Sequence, residues 1–321
     1  MEEYPRTLVE FETCFSSEAA CREYLFTLRW PEGFHCPRCG HGRGWPTGTG
    51  RFECAACAYQ ASVTAGTIFQ DTHLPLTTWF RVIWSVTSHK TGASALGVQQ
   101  ALGLRNYKTV WTCLHKLRRA MVRPGRDQLS GRVEVDEAFI GGLEEGHRGR
   151  GQATKAQIVV GAEEDGAGIG RVRMCRIPNA SAANLHPFIM GNILPGSIVH
   201  TDGWNGYKGI EAKGYTHEVT IRGKQKEATL ELMMPRVHRV VSLLKRWLLG
   251  THQGAISHDY LDYYLDEFTF RFNRRRSQHR GKLFRRLLEN AVQIEPVPYK
   301  NIVRHMKATN HNMSGLPESS I

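Results

Sequence analysis

The chain's 321 residues carry 42 Lys and Arg against 30 Asp and Glu, a formal net charge of +12 with a pI near 9.5. That length suits two or three domains, and the basic balance points to a polyanion, nucleic acid ahead of an acidic membrane surface. No apolar run approaches the roughly eighteen residues of a membrane span, no basic amphipathic helix has a wide apolar face, and Met1-Glu2-Glu3-Tyr4-Pro5 lacks a secretory core. A cytoplasmic, nucleoid-associated address with reduced thiols is therefore expected.

Ser16-Ser17-Glu18 is a helix start, and the helix runs through Cys21 and Leu25 to about Arg29, where Trp30-Pro31 stops it. Cys36-Pro37-Arg38-Cys39 and Cys54-Ala55-Ala56-Cys57 follow, with fourteen residues between the pairs, Gly40 to Glu53. Two such knuckles set four thiolates around one zinc, whereas redox or disulfide pairs do not suit a reducing compartment. The region is loop-rich and needs a staple, so the zinc is structural. Cys14, Cys21, Cys113 and Cys175 fall outside the pattern and read as ordinary thiols.

Leu76 to Met121 reads as helices: one from Thr77-Thr78, a short one capped by Ser94, a turn at Gly103 and a third from about Asn106. Val110, Leu114, Leu117 and Met121 form its apolar stripe, and Lys108, Thr112, His115 and Arg119 repeat that spacing on another face. Short helix, glycine turn and two-faced helix suit a helix-turn-helix, although any small helical domain has a solvated polar face.

Pro124-Gly125-Arg126-Asp127 is a linker. The run from Val133 to Gly142 is an apolar strand with Asp136 in its middle, a carboxylate that is costly to bury without a partner or a cation. Gly146 to Gly151 is a basic loop containing Arg148 and Arg150. Strands at 156–162 and 171–177 flank a hairpin at Asp165-Gly166, a helix starts at Ser181, and a short strand from Ser197 ends in Asp202. A strand over 217–221 and a helix over 236–249 complete a mixed sheet flanked by helices. In that helix Val237, Val241, Leu244 and Leu248 form the apolar stripe. His238 and Lys245, seven apart, share an adjacent side. A lone histidine there is ordinarily packing or surface, yet this order of elements allows the long helix to bring His238 beside the two carboxylates. A last helix, about 258–275, leads into Arg271, Arg274, Arg275, Arg276, Arg280, Lys282, Arg285 and Arg286, uninterrupted by an acid and suited to a phosphate backbone. Residues 310–321 are polar and expected to be disordered.

Several stretches together carry a resemblance: Arg29-Trp30-Pro31, the two cysteine knuckles, Ala65-Gly66-Thr67-Ile68-Phe69, Val135-Asp136-Glu137, Thr201-Asp202-Gly203, Leu248-Leu249-Gly250-Thr251-His252, and Tyr264-Leu265-Asp266-Glu267-Phe268 through Arg271-Phe272-Asn273-Arg274-Arg275. Over most of its length the chain resembles a bacterial insertion-sequence transposase of the DDE superfamily, the kind with an N-terminal zinc ribbon and a ribonuclease-H-like, integrase-type core. The resemblance implies a multidomain α/β protein: helix and zinc ribbon over 1–70, a helix-turn-helix-like DNA-binding domain over 71–124, a catalytic domain over 130–290 and a polar tail over 291–321. It implies Asp136 and Asp202 as the first two acidic residues, His238 in the third position where the superfamily usually has Glu, and Lys245 as the basic residue seven later.

Structural Zn²⁺ at Cys36, Cys39, Cys54 and Cys57 is expected, with catalytic Mg²⁺ or Mn²⁺ at Asp136, Asp202 and His238. Glu137, Glu231 and Glu267 are rival acids. The partner is double-stranded DNA, terminal inverted repeats and target alike, bound through Arg105, Lys108, Thr112, His115, Arg119, Arg148, Arg150, Arg271, Arg274, Arg275 and Arg276. The implied activity is metal-dependent 3′-end cleavage and strand transfer by a homodimer or larger assembly. An inactive, transposase-derived DNA-binding regulator is the alternative. A ribonuclease-like hydrolase would not need the basic helical module.

Overall fold

A computed structural model describes residues 4–123, 125–141, 155–220, 234–254 and 256–303. Residues 4–123 and 276–303 form one compact unit, and 125–275 lie in a second.

The first unit opens with helix α1 (Leu8–Cys14), capped by Thr7, and α2 (Glu18–Arg29), whose Ser17 cap accepts the Ala20 amide at 3.2 Å. Three short antiparallel strands follow, β1 (Gly44–Pro46), β2 (Phe52–Cys54) and β3 (Gln60–Ala61). Helices α3 (Leu76–Ser88), α4 (Ala95–Ala101) and α5 (Tyr107–Ala120) come next. Gly103 adopts φ +62°, the left-handed geometry that turns α4 into α5, and the side chains of Ser94 and Asn106 cap the two helices as the sequence predicts. Pro75 precedes α3 and offers no side-chain cap. The Glu18 carboxylate replaces it, accepting the Leu76 and Thr77 amides at 2.9 and 2.8 Å.

The second unit is a five-stranded sheet in the order β6-β5-β4-β7-β8. Strands β4 (Arg132–Ile140), β5 (Ala156–Asp165) and β6 (Gly168–Ile177) run antiparallel to one another, and β7 (Ile198–Thr201) and β8 (Thr216–Val219) extend the sheet in parallel from β4. Alternation along β4 sends Val133 and Val135 to a core shared with Leu185, Phe188 and Ile189 of α6 (Ala182–Asn192). Ile140 faces the opposite core, with α7 (Pro235–His252) and α8 (Leu261–Asn273). In α7 the fully buried stripe is Val237, Val240, Leu244 and Leu248, so Val240 takes the place expected for Val241, which is only partly covered. Each such burial contributes about 1.5–3 kcal/mol before entropy is charged against it.

One boundary differs from expectation. Helix α9 (Arg280–Ala291), within the span assigned to the catalytic domain, packs in the first unit: Phe284 is fully buried against Phe11, Phe15, Phe80 and Trp84, with ring centroids 5.4–5.8 Å away. Gly281 meets the Pro5 carbonyl so closely that no side chain fits. The short α10 (Tyr299–Val303) follows in what was expected to be tail, and residues 304–321 lie outside the described part.

The β5–β6 hairpin is locked by Glu163. Its carboxylate accepts the Ser130 and Arg171 amides at 2.9 and 3.1 Å and Arg171 Nε and Nη2 at 3.0 and 2.8 Å. Burial opposes the charge, but the guanidinium and the amides outweigh it and hold the pKa at about 2. A folded value below the unfolded one means stability present above pH about 4.5 and lost as pH falls towards 2. With the side chain only 13% exposed, on the order of 2 kcal/mol is expected to disappear across that window. Urea unfolding from pH 2 to 7 should show this loss, and Glu163→Gln should be less stable at neutral pH with a flatter acid limb.

Candidate active site and zinc centre

The cysteine knuckles converge as their spacing predicts. Cys36 Sγ lies 3.7 Å from Cys57 Sγ and Cys39 Sγ 3.6 Å from Cys54 Sγ, and all four sulfurs fall within 4.8 Å of one another. A disulfide needs about 2.05 Å, whereas a tetrahedron of about 2.3 Å zinc–sulfur bonds has edges near 3.8 Å. Each knuckle closes through a left-handed residue just after its second cysteine, Gly40 at φ +73° and Ala58 at φ +54°. The Gly40 amide donates to the Cys36 carbonyl at 2.8 Å and that of Ala58 to the Cys54 carbonyl at 3.0 Å. The Ala56 amide donates to Cys54 Sγ at 3.4 Å, which favours thiolate.

In the second unit, β4 places Asp136 half-buried on the face that α7 covers. Asp136 Oδ1 accepts the Glu137 amide at 2.8 Å, and Oδ2 lies 3.4 Å from His238 Nε2 in the first turns of α7. The parallel register pairs Val133 with Val199 and Glu134 with His200. Counted on from that register, Asp202 would fall opposite Asp136; it lies exposed just beyond the end of β7, with Oδ1 accepting the Trp204 amide at 3.0 Å. Glu137 faces the other way along the pleat, where the Tyr207 hydroxyl donates to it. Burial first, then the charges of Glu137, Asp136 and Asp202, push the Tyr207 phenol well above its usual range. Among the described residues, only the four cysteines bring three or more ligand atoms together closely enough for one ion. The structure thus pairs His238 with Asp136 but does not close Asp202 into a three-ligand set with them.

Lys245 lies two turns beyond His238. Its residue surface is largely exposed, yet desolvation of the ammonium end, and next the charge of Lys155, lower its pKa. Two ammonium groups that repel each other make a spot that a phosphate would neutralise.

Comparison with known proteins assigns this architecture. Residues 128–273 match the ISXO2-like transposase domain and residues 16–60 the transposase zinc-ribbon domain. The chain belongs to the zinc-ribbon insertion-sequence transposases. It is also 25% identical over 275 residues, 80% of this chain and 91% of the relative, to an uncharacterized protein in transposable element ISH50 of Halobacterium salinarum. No described helix is long and apolar enough to cross a membrane.

Within this transposase the expected DNA-facing residues divide. Arg105 and Lys108 are exposed at the start of α5, and Thr112 and Arg119 are half-buried. His115 is a correction: it is fully buried, its ring 4.0 Å from that of Trp111, because the apolar face of α5 is wider than its leucine stripe suggests. Arg274 and Arg275 are half-buried against Phe270 and Phe272, with guanidinium carbons 4.1 and 4.0 Å from the ring centres. They donate to the Phe270 and Phe272 carbonyls at 3.2 and 2.9 Å, so part of each cation is committed within the fold. Arg271 is half-buried and Arg276 exposed; Arg148, Arg150 and the rival Glu231 lie outside the described residues. Glu267 is 1% exposed, a poor position for an acid that must meet DNA.

Sequence reasoning missed Glu134, Arg236 and Tyr207. The signal for Glu134 was its place two residues before Asp136, which puts both on one face of the strand.

One zinc per chain is expected by atomic emission. Chelation or Cys54→Ser should accelerate amide exchange across residues 31–61 while leaving β4 and β5 protected; a zinc-free chain with an intact ribbon would contradict this.

Proposed function

We propose that this transposase cuts the ends of its insertion sequence to free 3′-hydroxyls and joins them directly to target DNA, with Asp136, Asp202 and His238 at the reacting phosphate. The supporting observation is the meeting of two strands and a helix: Asp136 in the central strand, Asp202 just past the end of the neighbouring parallel strand, and His238 Nε2 3.4 Å from Asp136. Strand ends of this kind are where open α/β sheets bind ligands.

Carboxylate oxygens suit a hard divalent cation, and an imidazole beside them shifts the preference from Mg²⁺ towards Mn²⁺. When bound by Asp136 and Asp202, such an ion supplies charge stabilisation and an activated water. His238 either completes that ligand set or donates from Nε2 to the scissile phosphate. Lys245, with Lys155, holds the flanking phosphate, and Arg105, Lys108 and Arg276 hold the duplex by its backbone. The zinc ribbon and the α4–α5 pair read the terminal repeats, and pairing two ends requires at least a dimer. Substitution of the usual Glu by His238 is the observation that favours the second reading, a DNA-binding regulator without catalysis.

Labelled terminal-repeat DNA with Mg²⁺ or Mn²⁺ separates these readings. A metal contact is worth several kcal/mol, so Asp136→Ala and Asp202→Ala are each expected to lower nicking by about a hundredfold or more. The wild type should prefer Mn²⁺ and His238→Glu should shift towards Mg²⁺. Tight specific binding with no nicking in either metal would establish the regulator instead.

A further inference from the structure

The first turn of α7 has no cap of its own. Met234 occupies the cap position without a side-chain acceptor, and Pro235 is the first helical residue. The acceptor comes from β4. Glu134, fully buried, takes the amides of both Arg236 and Val237 on Oε2, at 2.8 and 2.9 Å, and Arg236 Nη1 on Oε1 at 3.0 Å. Arg236 reaches on to the β5–β6 hairpin, donating to the Gly166 and Gly168 carbonyls at 2.9 and 3.0 Å and pairing with Glu164 at 2.9 Å. Removing a carboxylate from water costs several kcal/mol unless donors surround it, and here two helix-terminal amides and a guanidinium do so.

The apolar stripe of α7 selects its buried face but tolerates small sliding along the sheet. Hydrogen bonds to the second and third residues of the helix do not. The next residue is His238, and Asp136 is two residues from Glu134 on the same face of the same strand. We infer that Glu134 is a positioning residue: with Arg236 it fixes the start of α7 so that His238 meets Asp136. This rests on the active-site reading above. A displacement near 1 Å at a reacting group can cost about a hundredfold, so the clamp acts on turnover and not on DNA affinity.

Two variants separate the parts. In Glu134→Gln the amide oxygen still accepts both backbone amides but the ion pair with Arg236 is lost; Glu134→Leu loses both. Amide exchange of the full chain is expected to accelerate at Arg236 and Val237 at least tenfold in the Leu variant and less in the Gln variant, with β5 and β6 unchanged. In Mn²⁺ cleavage, kcat should fall in the order wild type, Gln, Leu with KM for terminal DNA unaltered. Unchanged exchange at Arg236 and Val237 in the Leu variant, or in the Gln variant if the Leu variant does not fold, with wild-type kcat, would overturn the inference. Exchange that accelerates while kcat stays at the wild-type value would also overturn it. Full activity of Asp136→Ala would instead overturn the active-site reading, leaving the exchange result to stand alone.

Discussion

A carboxylate in the middle of a sheet has to be satisfied by whatever packs above it, and Glu134 imposes that condition on the second unit. Its donors are the opening amides of α7 and the Arg236 side chain, so the strand at the sheet centre determines where the helix begins. The clamp continues as a chain of charges: Arg236 pairs with Glu164, Glu164 with Arg132, and Arg132 with Glu218 at 2.8 Å. Surface pairs add little singly, but a network that starts from a buried member fixes geometry better than isolated pairs do.

The first unit uses the same device. Both α3 and α7 begin at a proline, with no local acceptor, and each recruits a carboxylate from an earlier element, Glu18 for α3 and Glu134 for α7. A local serine cap fixes only the helix it begins. A remote carboxylate also fixes where that helix sits, which is what a site shared between a strand and a helix requires.

Much of this was legible because it is local. Ser17, Ser94 and Asn106 cap the helices expected of them, the paired cysteines converge, and alternation in β4 placed Asp136. What escaped was long-range. Glu18 and Glu134 sit 58 and 102 residues from the helices they cap, and a propensity window cannot see such partners. The width of a buried helical face depends on its neighbours, so spacing put His115 outside when packing puts it inside. The basic run after α8 read as one cationic surface, but the structure commits Arg274 and Arg275 to nearby rings and carbonyls and returns α9 to the first unit through Phe284. The role proposed for His238 came from position in a resembled pattern; its contact with Asp136 needed the fold.

The most direct test is a crystal of the full chain with terminal-repeat DNA and Mn²⁺, located by anomalous scattering. The expected map has manganese within bonding distance of both Asp136 and Asp202, with the His238 imidazole on the metal or on the scissile phosphate. Manganese held by Glu137 or Glu267, with Asp202 or His238 turned away from the DNA, would contradict the arrangement.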